Sequence, residues 1–390
     1  METTHQIYYT SSIDMRMVKP ESIDLLVTSP PYPMIEMWDE VFISQDKNIR
    51  TQLKDCQPWT AFENMHRLLD KVWDEAWRTL KPGGFVCINI GDAARTIADH
   101  FALYPNHARI LTCLIRLGFT PLPVILWRKQ TNAPNKFMGS GMLPAGAYVT
   151  LEHEYVLIAR KKGKRLFADD DQKAARSGSA IFWEERNDWF SDVWMDLKGT
   201  VQKLGDDTVR KRSGAFPFEL PYRLISMFSV KGDTVLDPFM GLGTTILAAM
   251  AAARNSIGYE LAADFRSTVE SRVEGVLALA NERIEKRLEQ HLRFVRERRE
   301  KNGDFRHQNR HYGFPVITGQ EKNLLIHSLK SVRQEKTDRY RVIYDETPQQ
   351  RFCGDPGPKP ESPSPAQPLK RKGRPVRSSA SKQQQLTLLD

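Results

Sequence analysis

The feature that most constrains the fold is an apolar run that stops at two consecutive prolines. Residues 23–27 are nearly continuously apolar, as in a strand buried on both faces of a parallel sheet. The proline motif, Thr28-Ser29-Pro30-Pro31-Tyr32, follows directly. Neither proline donates a backbone hydrogen bond and each fixes its own φ angle, so the strand must end in a rigid turn. Open α/β sheets place their chemistry at such strand ends, but a lone Pro-Pro pair is more often a plain turn, and the interpretation depends on a second stretch.

Strand and helix patterns alternate along the chain. Apolar residues three or four positions apart predict helices at residues 59–80, at residues 108–117 and from residue 264 to at least residue 288. Short apolar runs predict strands at residues 6–9, 23–27, 85–90, 122–127, 154–160, 233–237 and 256–260. Strands that alternate with helices indicate an α/β fold with a doubly wound, mostly parallel sheet.

The second informative stretch lies far along the chain. The glycine motif, Asp237-Pro238-Phe239-Met240-Gly241-Leu242-Gly243-Thr244-Thr245, follows a predicted strand and precedes an alanine-rich helix at residues 246–253. Glycines allow the backbone to approach a bound cofactor, and the start of the helix offers free amide donors. Glu260 ends the next predicted strand, where a carboxylate can accept hydrogen bonds from ribose hydroxyls. The stretch therefore predicts a cofactor site.

Together the two motifs resemble those of the DNA amino-methyltransferases, which methylate exocyclic base amines with S-adenosylmethionine. The proline motif precedes the glycine motif, which resembles the β group, a circularly permuted form of the Rossmann-like methyltransferase fold. The resemblance covers residues 5–285, and Phe216-Pro217 resembles the segment before the cofactor strand. The chain departs from the family at Leu242, where a serine is usual, and at Thr10 and Ser11, where a Gly-Asp pair is usual.

The resemblance implies a role for each motif residue. The target base would be flipped out of the duplex and stacked on Tyr32, while the Ser29 hydroxyl and the Pro30 carbonyl accept the hydrogens of its amine. The implied catalytic residues are Ser29, Pro30, Pro31 and Tyr32. The implied cofactor-binding residues are Phe216, Asp237, Pro238, Phe239, Gly241, Gly243, Thr244, Thr245 and Glu260. Serine at the first variable position of the proline motif accompanies N4 methylation of cytosine in this family, so Ser29 favours cytosine.

Several alternatives stay open at this point. Aspartate or asparagine at the position of Ser29 accompanies N6 methylation of adenine, and the correlation has exceptions, so adenine is the second candidate. A DNA-binding protein without catalysis is a further alternative. A nicotinamide-dependent oxidoreductase is disfavoured because its turn requires a third glycine where this chain has Ile246. Asp237 could instead cap a turn, and Phe239 could fill the core.

The charge of the chain fits a nucleic-acid partner. Its formal net charge is +9, which makes double-stranded DNA a plausible partner. Residues 161–215 begin with basic residues and interleave aromatic with polar side chains, as in a DNA-binding groove. Its aromatic residues include Phe182, Trp183, Trp189, Phe190 and Trp194. The alternative for each of these rings is that it fills a small core of its own.

These patterns divide the chain into five segments. With the resemblance, we expect residues 1–160 to form the catalytic half of the methyltransferase domain, 161–215 the target-recognition insertion and 216–290 the cofactor-binding half. Residues 291–352 form a C-terminal appendage, and 353–390 form a basic tail rich in Pro, Ser and Gln that we expect to be disordered.

Cysteine spacing and hydropathy limit the remaining possibilities. The four cysteines are scattered without paired spacing, so neither a metal site nor a disulfide framework is expected, and Cys87 and Cys113 are expected in the core. No stretch resembles a signal peptide or reaches membrane-spanning length, so we expect a cytoplasmic protein. A cognate restriction endonuclease is a possible functional partner of such an enzyme.

Overall fold

The computed structural model describes residues 1–129, 138–139, 143–197 and 216–357. The described strands are β1 (Glu2–Tyr8), β2 (Ile23–Thr28), β3 (Leu80–Ile90), β4 (Ala93–Ile97), β5 (His100–Tyr104), β6 (Phe119–Pro121), β7 (Ile125–Arg128), β8 (Met138–Gly139), β9 (Ala147–Tyr148), β10 (His153–Lys161), β11 (Val193–Trp194), β12 (Thr234–Asp237), β13 (Asn255–Tyr259), β14 (His307–Gln308), β15 (Pro315–Val316), β16 (Ser328–Lys336) and β17 (Arg339–Asp345). The described helices are α1 (Asp39–Gln45), α2 (Asn48–Lys54), α3 (Pro58–Thr79), α4 (Asn106–Leu117), α5 (Asp170–Gly178), α6 (Trp183–Trp189), α7 (Glu219–Phe228), α8 (Thr244–Ala251), α9 (Arg266–Glu274) and α10 (Val276–Asn302).

One mixed sheet organises the described residues. Its strand order is β11-β7-β10-β3-β2-β12-β13-β1-β17-β16, with β6 paired to β10. The central strands β3, β2, β12, β13 and β1 are mutually parallel, so their carboxyl ends lie at one edge. Antiparallel strands extend this parallel centre on both sides. The late strands β12 and β13 lie between the early strands β2 and β1, so the sheet is circularly permuted, as the resemblance to the β group implies.

Helices cover both faces of this sheet, which confirms the doubly wound α/β fold. On one face Trp73 of α3 and Ile110 of α4 are fully buried against Leu26 and Ile88. On the other face Leu224 of α7, Ala249 of α8 and Ile284 of α10 are buried in a second cluster. Burial of a leucine or isoleucine side chain such as Leu224 or Ile284 stabilises the fold by about 1.5–3 kcal/mol. With both faces covered, the carboxyl edge is the open part of the sheet.

The predicted elements differ from the observed ones mainly at glycines and prolines. The predicted strand at residues 122–127 is observed only in its second half, as the start of β7, and the separate short strand β6 ends before it at Pro121. The predicted helix at residues 264–288 is interrupted at Gly275 and then continues to Asn302. The helices α1 and α2 and the β4–β5 hairpin are not predicted by the apolar pattern, because these elements are short.

The aromatic residues of the predicted recognition insertion lie mostly in the core. Phe182, Trp189 and Trp194 are 0%, 3% and 1% exposed, so stacking on nucleic acid is wrong for these three rings. They are buried in the large cluster that also contains Leu224 and Ile284, and not in a small core of their own. Phe190 is 45% exposed, and Trp183 is half-buried beside the guanidinium of Arg298. The strand β11, which contains Trp194, pairs with β7, so this part of the insertion belongs to the sheet.

The C-terminal segment also joins the sheet. The antiparallel hairpin of β16 and β17 pairs with β1, so part of residues 291–352 extends the central sheet beyond its parallel centre. Residues 358–390, most of the predicted basic tail, lie outside the described residues. Cys87 and Cys113 are buried as predicted. Among the described helices, none has both the length and the apolar character needed to cross a bilayer.

Candidate active site

The two motifs meet at the carboxyl edge of the sheet. Strand β2 carries the proline motif and β12 carries the glycine motif, and these two strands are parallel neighbours. The Thr28 hydroxyl donates a hydrogen bond of 2.6 Å to Asp237 Oδ1. The turns that follow the two strands therefore start side by side, although they are far apart in the sequence.

Both motifs line one cavity of about 560 Å³. The predicted residues in its wall are Ser29, Pro30, Pro31, Tyr32, Phe216, Asp237, Pro238, Phe239, Gly241, Thr244 and Glu260. Gly243 and Thr245 are not in the wall, since Gly243 caps helix α8 and Thr245 is fully buried. The structure therefore brings together all of the predicted catalytic residues and most of the predicted cofactor residues.

The glycine motif forms a turn that presents backbone to the cavity. Gly241 has φ +54° and Gly243 has φ +77°, in the left-handed region that favours glycine. A Cβ atom added to Gly241 would meet nothing within 4 Å, so this position faces open space. The turn leads directly into α8, whose first amides point toward the carboxyl edge.

Two carboxylates hold this turn from either side. Glu260 accepts hydrogen bonds of 2.8 Å from the amides of Gly241 and Ala262. Burial raises the pKa of Glu260 above its ordinary value. A carboxylate offers about four acceptor positions, so Glu260 retains capacity to bind ligand hydroxyls.

Asp237 is the second of these carboxylates. It is 2% exposed and accepts hydrogen bonds from the Thr28 hydroxyl and, at 3.1 Å, from the Phe239 amide. Burial raises the pKa of Asp237 to about 6, and the hydrogen bonds oppose this shift. Asp237 therefore links the two motifs and also shapes the cavity wall.

Aromatic side chains form the apolar part of the wall. Phe239 packs edge to face against Trp73, with ring centroids 6.0 Å apart, so it both joins the core and faces the cavity. Phe216, three residues before α7, is half-buried and lines the cavity. These rings offer apolar surface for a flat or aliphatic ligand.

Tyr32 is held by a polar network at the other end of the cavity. Its hydroxyl donates to Glu154 Oε2 at 3.0 Å and accepts from Asn89 Nδ2 at 2.9 Å. Ser29 Oγ lies 3.1 Å from the same hydroxyl. Lys129 Nζ donates to Glu154 Oε1 at 2.8 Å. Burial and the charge of Glu154 hold the pKa of Tyr32 well above its ordinary range, so the phenol stays protonated.

Sequence reasoning did not assign Asn89, Lys129 or Glu154 to the site. Lys129 and Glu154 line the cavity, and Asn89 bridges Tyr32 and Glu154. Glu154 stands at the start of an otherwise apolar strand, which is a signal for a buried polar role but names no partner. Thr10 and Ser11, where the family usually has a Gly-Asp pair, also line the cavity, as does Ser12.

The residues present fit S-adenosylmethionine. A glycine turn with open space in front of Gly241, a helix start and the Glu260 carboxylate provide backbone amides and an acceptor for hydroxyls. Phe239, Leu261 and Phe265 provide apolar wall. The described residues contain no cluster of His, Cys, Asp or Glu arranged to hold a metal ion.

Known proteins with similar sequences are DNA methyltransferases. Residues 23–271, more than half of the chain, match the N6_N4_Mtase family, described as DNA methylase. The chain is 50% identical to the Type II methyltransferase M.MthZI of Methanothermobacter thermautotrophicus over 347 residues, which cover 89% of this chain and 96% of that protein. It is 44% identical to the Type II methyltransferase M.MjaI of Methanocaldococcus jannaschii over 288 residues, covering 70% of this chain and 91% of that protein.

Solved structures give the same result. The chain resembles TTHA0409 of Thermus thermophilus, a candidate DNA modification methylase crystallised with S-adenosyl-L-methionine, at 30% identity and a TM-score of 0.53. The match covers 69% of this chain and 94% of that one. The chain therefore belongs to the N6/N4 family of DNA methyltransferases, in its β class, whose methyl donor is S-adenosylmethionine.

Proposed function

We propose that the protein methylates the exocyclic N4 amine of cytosine at a specific site in double-stranded DNA. The observation that carries this proposal is the convergence of Ser29 and Pro30 with the glycine motif on one cavity. That arrangement brings acceptors for a base amine and a cofactor-sized cleft into a single space. The family membership supplies the reaction class, and Ser29 favours cytosine over adenine.

The proposed catalytic task is to prepare a weakly nucleophilic amine. The lone pair of a base amine is delocalised into the ring, so an enzyme gains by localising it on nitrogen. Ser29 Oγ and the Pro30 carbonyl oxygen accept the two amine hydrogens in this proposal, which favours tetrahedral nitrogen. No described residue donates a hydrogen bond to the Pro30 carbonyl, so this acceptor is available. Pro31 keeps the loop rigid and Tyr32 stacks on the flipped base.

The cofactor roles follow from the same cavity. Bound S-adenosylmethionine supplies a methyl group activated by a positively charged sulfur. Glu260 accepts hydrogen bonds from the ribose hydroxyls, while the Gly241 turn and Asp237 position the methionine end. Phe216, Pro238, Phe239 and Thr244 line the cavity and would pack against the ligand. Gly243 is the N-cap of α8 and Thr245 is buried in its first turn, so these two would act through the shape of the turn.

Methylation at ring carbon 5 of cytosine is disfavoured by the cysteines. That reaction requires a thiolate nucleophile, which such enzymes carry in a Pro-Cys pair. None of the four cysteines follows a proline. Burial raises the pKa of Cys87, which opposes thiolate formation in the cysteine nearest to the central strands.

We also propose that the enzyme is the modification partner of a restriction endonuclease. M.MthZI and M.MjaI are named as Type II methyltransferases, and this chain matches each of them over almost the whole length of that protein. The net charge of +9 supports binding to duplex DNA. We assign target recognition to residues 161–215, with contributions from residues 130–150 and 290–347. Within the described part of residues 161–215, Phe190 is exposed and Trp183 is half-buried.

The test is transfer of a labelled methyl group from S-adenosylmethionine to duplex DNA. Digestion of the product to nucleosides followed by mass spectrometry should yield N4-methylcytosine. Detection of N6-methyladenine instead would show that adenine, the second candidate, is the target base. If no nucleoside carries the label, the protein binds DNA without catalysing methyl transfer. Sequencing of methylated DNA from cells that express the chain then identifies the recognition site.

A further inference from the structure

The polar network behind Tyr32 has a defined direction. Asn89 Nδ2 donates to both Tyr32 Oη, at 2.9 Å, and Glu154 Oε2, at 2.7 Å. The reversed amide would place its oxygen against the Glu154 carboxylate, so the orientation with nitrogen toward the pair is the favoured one. Since an amide nitrogen only donates, Tyr32 Oη must accept from Asn89.

The hydroxyl hydrogen of Tyr32 can then be donated to only one of its neighbours in this network. Glu154 is paired with the Lys129 ammonium at 2.8 Å, and an ionised carboxylate only accepts. The Tyr32 hydroxyl therefore donates to Glu154 at 3.0 Å and not to Ser29. One acceptor position remains on Tyr32 Oη, and Ser29 Oγ lies 3.1 Å from it. This position can only receive the Ser29 hydrogen.

We propose that Glu154 is a positioning residue that makes Ser29 an acceptor toward the cavity. By taking the Tyr32 hydrogen, Glu154 draws the Ser29 hydrogen toward Tyr32, so the free lone pairs of Ser29 Oγ face the target amine. Without this direction the Ser29 hydroxyl could turn its hydrogen toward the cavity, where it would oppose the amine hydrogens. The inference rests on the proposed function of Ser29 and assigns Glu154, through Tyr32, a role in it.

The backbone around the network is shaped for this contact. Asn89 and Glu154 lie on the antiparallel neighbours β3 and β10. A Cβ atom on Gly91 would lie 3.0 Å from Tyr32 Cε2 and 3.4 Å from Glu154 Cγ. Glycine at this position therefore leaves the space in which the Tyr32 ring approaches the carboxylate.

The test is a double-mutant cycle of Glu154→Gln and Tyr32→Phe, measured as kcat for methyl transfer at saturating cofactor and DNA. Glutamine keeps the size of the side chain but can donate a hydrogen bond to Tyr32. Phenylalanine keeps the ring but removes the hydroxyl that links Glu154 to Ser29. We expect Glu154→Gln to lower kcat about 10–100-fold, with the S-adenosylmethionine dissociation constant and the thermal unfolding midpoint unchanged. In the Tyr32→Phe background the same substitution should change kcat by less than about twofold. Glu152→Gln, two residues earlier and paired with Arg128, is the matched control.

Three results would overturn the inference. These are an unchanged kcat in Glu154→Gln, a full additional loss in the Tyr32→Phe background, or a loss explained by weaker cofactor binding. Failure of the proposed function would look different, because the unmodified enzyme itself would then transfer no methyl group to DNA.

Discussion

The Thr28 hydroxyl and the Asp237 carboxylate are joined by a hydrogen bond of 2.6 Å between residues 209 positions apart. Both residues end adjacent parallel strands and both are buried, at 1% and 2% exposure. A hydrogen bond to a buried carboxylate is among the stronger ones in proteins. This contact fixes the distance between the turn that carries Ser29 and the turn that carries Gly241.

Removing this hydrogen bond should destabilise the protein. Thr28→Val keeps the shape of the side chain but leaves Asp237 with one donor fewer, so the free energy of unfolding should fall by about 1–3 kcal/mol. Urea unfolding monitored by circular dichroism measures this change. Thr28→Ser retains the hydroxyl and should recover most of the loss. Equal stability of the valine variant and the unmodified protein would contradict the finding that the bond supports the site.

Removing the amine acceptor should stop methylation without affecting the cofactor. Ser29→Ala should lower kcat about 10²–10³-fold, since it removes one of the two groups that localise the amine lone pair. Tyr32→Ala should have a comparable effect through lost stacking. Calorimetry should give an unchanged S-adenosylmethionine affinity for both. Ser22→Ala is the control, because the Ser22 hydroxyl donates to the turn carbonyl of Lys19 at the exposed surface. Loss of cofactor binding in both variants would show that their role is misassigned.

The role assigned to Glu260 predicts that its removal weakens cofactor binding and leaves DNA binding intact. Glu260→Ala should weaken S-adenosylmethionine binding about 10–100-fold, because it removes an acceptor for the ligand and also frees the Gly241 amide. Affinity for DNA in a gel-shift assay should stay within about twofold. Glu274→Ala, an exposed acid at the end of α9, is the control. An unchanged cofactor dissociation constant would refute the ribose role of Glu260.

The pH dependence of stability should reveal the titration of the half-buried Lys231. Burial lowers the pKa of Lys231 from 10.5 to about 7, and its ammonium donates to the Leu325 carbonyl. Between these two values the unfolded chain binds more protons than the folded one, so this group makes stability rise with pH. Lys231→Met should remove that part of the rise between about pH 7 and about pH 9.

Thermal unfolding across this range measures the effect of Lys231. The exposed Lys330→Met is the matched control and should keep the rise. Methyl transfer should stay unchanged in Lys231→Met, because Lys231 precedes β12 at the edge of the sheet opposite the cavity. Identical pH dependence in the two variants would contradict the predicted titration.

The parts of this protein that local pattern determines were predictable. Two prolines after an apolar run end a strand wherever it lies, and Gly241 and Gly243 are required by their left-handed conformations. The alternation of strands and helices predicted the mostly parallel sheet with helices on its faces. These inferences need only backbone sterics and side-chain periodicity, which are properties of short segments.

Contacts between distant segments were decided by the tertiary structure alone. The pattern of aromatic and basic residues suggested a stacking surface, but packing against Arg287 and the helices buries Trp189 and Phe182. Likewise, nothing in the neighbourhood of Glu154 in the sequence identifies Tyr32, 122 residues earlier, as its partner. Such pairs arise from the order and register of strands, and a buried polar group takes whichever partner that arrangement brings within hydrogen-bonding distance.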